Sequence, residues 1–457
     1  EHHIENQMND LEVAARTKRS EVELLDVEMR KQLEEDRKQT EVQFKSQYRS
    51  AQNQLRELEA KVKSMEASAG EKSVAVKQSQ NLPKKARAVK RFNPAVSVVL
   101  NGKATSFSSP ESEFAGFSVS HEGERGREGL GLGESEISVA ANVDNKFYGS
   151  LTAAIVREDG SDQIELEEAY LQTLPDLGLM DGLGIKAGRA FWTLGYMNEH
   201  HAHTDDFADR PLPYRAFLNK AYNDDGLEVS YVLPTDFYTE IGGGVFRGDD
   251  FPFGGSDGEG IGAFSAFARF GSDIGDNQSW RLGGYALIGE AKGGRAGNED
   301  TVTFIGDSDL YAVDFRYTYA PTGNAREREW IVQGESFWRS EDGTYEDTNA
   351  GTGAVAHDDT SVGWYAQTVY KFHPAWRAGF RYSELESPDI LAGLNGSALD
   401  GRNHDPRSFS AMVDYTNSEF SRIRFQWNNN KLNNQTTDNQ FMIQYIMSVG
   451  AHGAHKY

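Results

Sequence analysis

The chain has no cysteine among its 457 residues, which excludes thiolate metal sites, disulfides and cysteine nucleophiles. It has no apolar run of the roughly 18 residues that a transmembrane helix needs, and its mean hydropathy is -0.62. Positive charge is also scarce. Against 70 Asp and Glu stand 47 Lys and Arg, leaving a net charge of -23. The basic stripe that a nucleic-acid partner requires is missing. The opening residues EHHIENQMND lack the apolar core of a secretory signal. That leaves a cytosolic chain or a mature form whose signal has been removed. No H-E-x-x-H run is present, so that zinc-hydrolase pattern is absent.

Glycine, proline and aromatic residues are nearly missing before residue 80. Almost all of the 46 Gly, 25 Phe, 19 Tyr and 7 Trp follow residue 92. Two architectures are expected. In the first, apolar residues at Ile4, Met8, Leu11, Ala15, Val22, Leu25 and Met29 alternate steps of four and three, with Lys18 in one core slot. A second stretch runs Phe44, Tyr48, Ala51, Leu55, Leu58, Val62, Met65, joined through Leu33, Arg37 and Thr40 by a four-residue stutter. This predicts an α-helical coiled coil over 1–69, roughly 60 residues of seam spanning about 90 Å. A single solvated helix is the plainer alternative. Residues 70–93 read as a linker in which Lys84, Lys85, Arg87, Lys90 and Arg91 cluster. The cluster is either solvated or a basic collar facing anionic lipid headgroups.

From about residue 95 the dominant period is two. Tyr311, Val313, Phe315, Tyr317 and Tyr319 alternate with Ala312, Asp314, Arg316 and Thr318; Phe380 and Tyr382 alternate with Arg381; Ile423, Phe425 and Trp427 alternate with Arg424 and Gln426. One face is apolar and aromatic, the other polar, charged or small. Strands of about 9–11 residues with this pattern in a hydrophilic chain mark an outer-membrane barrel. Sixteen candidate strands fall between residues 95 and 449, an even number. Tight turns at 144–145, 234–235, 373–374 and 418–419 alternate with long stretches at 108–132, 194–224, 248–260, 291–307, 341–360 and 386–406, with 158–163 and 431–437 as exceptions, short although on the outer side. Short periplasmic turns and long outer loops are what such a barrel requires. The prediction is an all-β membrane barrel over 94–457 in a bacterial outer membrane, with the coiled coil in the periplasm. The final aromatic, Tyr457, looks like a terminal assembly signal. About sixteen strands leave a water-filled lumen, so a channel is expected and an enzyme is not.

The run IKAGRAFWTLGY (Ile185–Tyr196), after a strand carrying LEEAYLQT, resembles the K-x-G-R-F…G region of the phosphate-selective porins O and P. Ala190 departs from the G-R-F run. The resemblance is most specific over Glu168–Gly195. It implies a homo-trimeric, sixteen-stranded porin whose third outer loop folds into the pore.

By parity, Asp314, Arg316, Gln333, Glu335, Arg339, Gln367, Lys371, Arg377, Arg381, Arg422 and Arg424 face the lumen. The arginines either hand an anion along the pore or pair with lumenal carboxylates, with Glu165, Glu167 and Glu240 offered by earlier strands. The acidic outer loops repel anions at the mouth or bind divalent cations between lipopolysaccharides. Loop 194–224 carries NEHHAHTDDFADRP. Its Glu199, His200, His201, His203, Asp205, Asp206, Asp209, Arg210 and Arg215 are the expected constriction. In a second reading His201 and His203, with Asp205, Asp206 or Glu199, bind zinc or copper in transit. In a third the histidines are incidental. No cofactor is expected beyond such a transient metal. The expected partners are outer-membrane lipid, lipopolysaccharide and a second and third copy of the chain, with the coiled coil reaching toward peptidoglycan as a tether.

Overall fold

Alternation of side chains along a strand puts one set on each face, and closing the sheet into a barrel sends the polar set inward and the apolar set outward while leaving no unpaired edge. The computed structural model describes residues 94–158, 161–178, 180–255, 260–388, 392–418 and 420–450. The expected coiled coil, the basic linker and Tyr457 lie outside the described residues.

The strands are β1 (Ala95–Phe107), β2 (Gly129–Leu132), β3 (Ser135–Asn142), β4 (Phe147–Glu158), β5 (Ser161–Thr173), β6 (Leu183–Phe191), β7 (Asn223–Val232), β8 (Tyr238–Phe246), β9 (Ala263–Ile274), β10 (Gln278–Glu290), β11 (Arg295–Gly297), β12 (Val302–Tyr319), β13 (Glu329–Asp347), β14 (Val355–His373), β15 (Trp376–Glu386), β16 (Arg407–Ser418), β17 (Ser421–Lys431) and β18 (Asp438–Gly450). β2 and β11 are short additions. The other sixteen form a closed antiparallel barrel, sealed by β1 against β18 from Ser97↔Gly450 to Phe107↔Gln440.

Each of the sixteen expected strands is present. β12, β13 and β14 are longer than expected, at 18, 19 and 19 residues, and absorb part of the stretches read as loops at 291–307 and 341–360. Their alternation continues past the length needed to cross a bilayer. The extensions close over Ala291, Val302, Phe304, Tyr345, Leu394 and Leu399, a separate apolar cluster toward the long-loop end. The apolar parity set points outward, with Val313, Phe315, Phe380, Phe425 and Phe441 all exposed. Only a lipid phase accommodates such a belt without cost.

The barrel interior is not simply open water. The helix α1 (Leu212–Leu218) has every residue buried and ends at Asn219, whose φ of 46° turns the chain. Trp192, Leu194, Tyr214, Phe217 and Tyr222 pack with Phe114 and Phe117 into one apolar cluster. The apolar members of loop 194–224 and of the 108–128 segment join wall residues such as Phe246, Phe337 and Tyr365 in this internal core, a packing that the count of strands does not reveal.

Candidate functional site

Loop 194–224 departs from the top of β6 and turns at once into the barrel. Gly195 makes the turn: its φ is 72°, and a Cβ there would collide with the Glu335 carboxylate and meet the Tyr214 hydroxyl at 2.7 Å. Glu335, buried on β13, accepts hydrogen bonds from the backbone N–H groups of Tyr196 (3.0 Å) and Met197 (3.3 Å) and from the hydroxyls of Tyr214 (2.9 Å) and Tyr365 (2.5 Å). Its parity is as expected. Its hydrogen bonds hold the start of the loop.

The loop's charges are then matched one by one to the wall. Asp206 accepts from Arg377 of β15 at 2.7 Å, and Asp209 from Arg381 of β15 at 2.6 Å, from Gln426 of β17 at 2.6 Å and from Asn428 of β17 at 2.8 Å. Arg422 and Arg424 donate to the backbone carbonyls of His203 and Asp205, at 2.7 and 2.8 Å. Arg424 and Arg377 also flank Asp414. Arg339 donates to the Ala216 carbonyl at 3.2 Å and lies over the Phe217 ring. On the opposite wall Glu199 pairs with Arg269 of β9 at 2.5 Å.

Burial opposes a charge on Asp206 and Asp209, but Arg377 and Arg381 respectively outweigh it, and both carboxyls titrate below the ordinary aspartate value. Asp205 differs: burial raises it to about 6, although Arg210 donates to it at 2.7 Å. Burial likewise lowers His200 to about 4.

Of the expected constriction residues, His203, Asp205, Arg210 and Arg215 are buried within the loop packing. Arg210 also donates to the His200 carbonyl, and Arg215 to the Gly123 carbonyl. Glu199, His200, His201, Asp206 and Asp209 keep partial exposure. Of the expected lumen residues, Asp314, Glu335, Arg339, Arg381 and Arg424 are buried by the loop and its neighbours, while Arg316, Lys371, Arg377 and Arg422 stay partly exposed. The last four lie near the short-turn ends of β12, β14, β15 and β17. Arg316 donates to Gln333 and lies 4.6 Å from the Tyr196 ring centre, with no carboxylate in ion-pair distance among the described residues. Lys371 donates to the Ala325 carbonyl. Arg281 of β10, not singled out from the sequence, covers the same Tyr196 ring at 4.9 Å.

The histidines go to a third wall. His201 Nδ1 lies 3.1 Å from Glu136 Oε2 and 3.3 Å from Glu167 Oε2, and its Nε2 lies 3.0 Å from Glu168 Oε2. His203 Nδ1 lies 2.8 Å from Glu136 Oε1. Asp205, expected to complete a metal set with His201 and His203, turns to Arg210 instead; the carboxylates come from β3 and β5. Glu136 and Glu168 were not anticipated. The S-E-I-S-V alternation of β3 already put Glu136 opposite the outward Ile137. Glu168 was hidden because the register slips between Thr152 and Ala153, a β-bulge that turns the consecutive Glu167 and Glu168 both inward. Beside this group is a cavity of about 320 Å³ whose lining includes Glu122, Glu165, Glu167, Arg189, His200 and Asp250.

No family model matches the chain. An uncharacterized protein of Aquifex aeolicus (strain VF5) is 28% identical over 397 residues, 80% of this chain and 81% of the relative. Among solved structures, the outer membrane channel DcaP of Acinetobacter baumannii superposes with a TM-score of 0.51 at 12% identity, over 78% of this chain and 97% of that one. The fold is that of an outer-membrane barrel. An anion-selective porin from Comamonas acidovorans gives a TM-score of 0.49 at 9% identity, over 78% of this chain and 99% of that one.

Proposed function

We propose that this protein is an outer-membrane channel for small charged solutes, with loop 194–224 as its constriction and with its short turns in the periplasm. The observation that carries the reading is the docking of this long loop inside a closed barrel, with Asp206 and Asp209 paired to Arg377 and Arg381 of the inner wall. A barrel of this size encloses more space than side chains fill, and an inward loop sets what passes.

The charge left over after pairing favours anions at the short-turn end. Arg377, Arg381 and Arg424 are held by Asp206, Asp209 and Asp414 and act as a structural ladder. Arg316 has no carboxylate within ion-pair distance among the described residues, although it faces Asp206; Arg281, on the same Tyr196 ring, is already paired with Asp314 at 3.4 Å. Arg316 therefore supplies the planar fork that takes an anion from water. The likeness to the phosphate-selective porin motif supports the inward loop more than the choice of solute. Lys186 lies over the Tyr170 and Trp192 rings, Arg189 pairs with Asp225 across β6 and β7, and Gly195 lets the loop turn under Glu335.

Reversal potentials across a KCl gradient test the selectivity. An anion-selective potential in the wild type that weakens in Arg316→Gln supports the reading. A cation-selective potential unchanged by that substitution would remove it.

A further inference from the structure

We infer that Glu136, Glu167 and His201 form a resident site for a divalent first-row transition metal, which fastens the inner loop to the β3–β5 wall. The inference concerns a fixed structural ion and does not depend on what the barrel transports.

The geometry fits. Glu136 Oε2, Glu167 Oε2 and His201 Nδ1 all lie within 4.8 Å of one another. Metal–oxygen and metal–nitrogen bonds of about 2.0–2.2 Å in a tetrahedron put neighbouring ligand atoms roughly 3.3 Å apart. The His201 Nδ1 separations of 3.1 and 3.3 Å match that spacing. None of the three atoms makes a hydrogen bond; they are buried and face one another at ion-pair distance, and the Glu136 side chain is only 1% exposed. Buried polar atoms without hydrogen bonds are costly, and these converge on one point. One imidazole and two carboxylates suit zinc and its neighbours.

The surroundings fit as well. His201 Nε2 faces Glu168 at 3.0 Å, so one carboxylate orients the imidazole whose other nitrogen meets the metal. His203 holds the second oxygen of Glu136 in the same way. The bulge in β5 is what allows Glu167 to serve as a ligand while its neighbour Glu168 orients His201. Glu167 also lines the neighbouring cavity, together with Glu122, Glu165 and Asp250.

The test uses the full chain folded in detergent and stripped with EDTA. Titration with Zn²⁺ should show a site that is lost in Glu136→Gln/Glu167→Gln, and Zn²⁺ should raise the melting temperature of the wild type but not of that variant. Glu168→Gln, which keeps the ligands, should weaken Zn²⁺ roughly 10–100-fold. X-ray absorption of the zinc-loaded wild type, which needs no variant to fold, should report one imidazole and otherwise oxygen. Equal zinc binding in wild type and the folded double variant would overturn the inference. So would a spectrum with two or more imidazoles, which would point to the His2–His3 or His452–His455 pairs. Absence of Zn²⁺, Co²⁺ and Mn²⁺ binding would overturn it equally.

Discussion

Arg381 donates through Nη2 to the Asp209 carboxylate at 2.6 Å and through Nη1 to the Asp209 backbone carbonyl at 2.7 Å. One guanidinium on the barrel wall thus holds both the side chain and the main chain of the inner loop. Arg381 is nearly fully buried. Removing Asp209 leaves an uncompensated charge there, a loss of about 3–5 kcal/mol for a buried pair. Asp209→Ala is therefore expected to loosen the loop and raise single-channel conductance, with more frequent switching between levels. Traces identical to wild type would show that this pair does not hold the constriction.

Glu335 gathers two hydroxyls and two backbone N–H groups at the start of the loop. In Glu335→Ala each buried donor left without an acceptor costs about 1–3 kcal/mol. The loop should exchange its amide hydrogens over 194–224 much faster while the barrel strands stay protected. Glu335→Gln keeps one acceptor oxygen and exchanges the other for a donor, and should sit between wild type and Glu335→Ala. Gly195→Ala should resemble Glu335→Ala, because its Cβ needs the space the carboxylate fills.

Loop docking should depend on pH with two opposite signs. Asp206 faces Arg377, Arg316 and Arg424; Asp209 faces Arg381, Arg215, Lys103, Gln426 and Asn428. Burial works against both charges, but the arginines prevail and depress both carboxyls. Their stabilisation is present above the ordinary aspartate value of about 3.9 and is lost as pH falls below it. Asp205 faces Arg210, Asp206 and Arg424 and is raised by burial to about 6. Its contribution is present below the ordinary value and lost as pH rises through about 6. Docking should therefore persist from pH 7 down to about 4 and weaken below that. Asp206→Asn/Asp209→Asn should show the loosened state already at pH 7. Conductance recorded against pH checks both; loosening that begins at pH 6 would contradict the assignment.

The outward face of β12 predicts a contrast between neighbours. Val313 points to the exterior and Asp314 to the interior. Val313→Arg should cost about 2–4 kcal/mol in bilayer insertion if the site lies near mid-depth. Urea titration of the vesicle-inserted barrel measures it, and an unaffected midpoint would place Val313 away from lipid.

Much of this was legible in the sequence because a barrel strand repeats every two residues and the turns are short. Val313 and Asp314 are assigned by counting alone, and so are Arg377 and Arg381. Counting fails where the period breaks. The bulge opposite Thr152 and Ala153 reverses parity at Glu168, so one of the three carboxylates around His201 was hidden. It fails again where a partner is distant in sequence. Whether Arg381 guided a solute or held Asp209 depended on where a loop 172 residues earlier would settle. The His201–His203 pair was visible as a candidate metal site, but its carboxylates came from β3 and β5 and not from Asp205 beside it.

The most direct test of the account is current through the purified full chain in a planar bilayer. Discrete conductance steps with an anion-selective reversal potential are predicted, the steps growing when Asp209 is replaced by alanine. A membrane that stays silent for both wild type and Asp209→Ala, with the barrel folded and inserted, would contradict it.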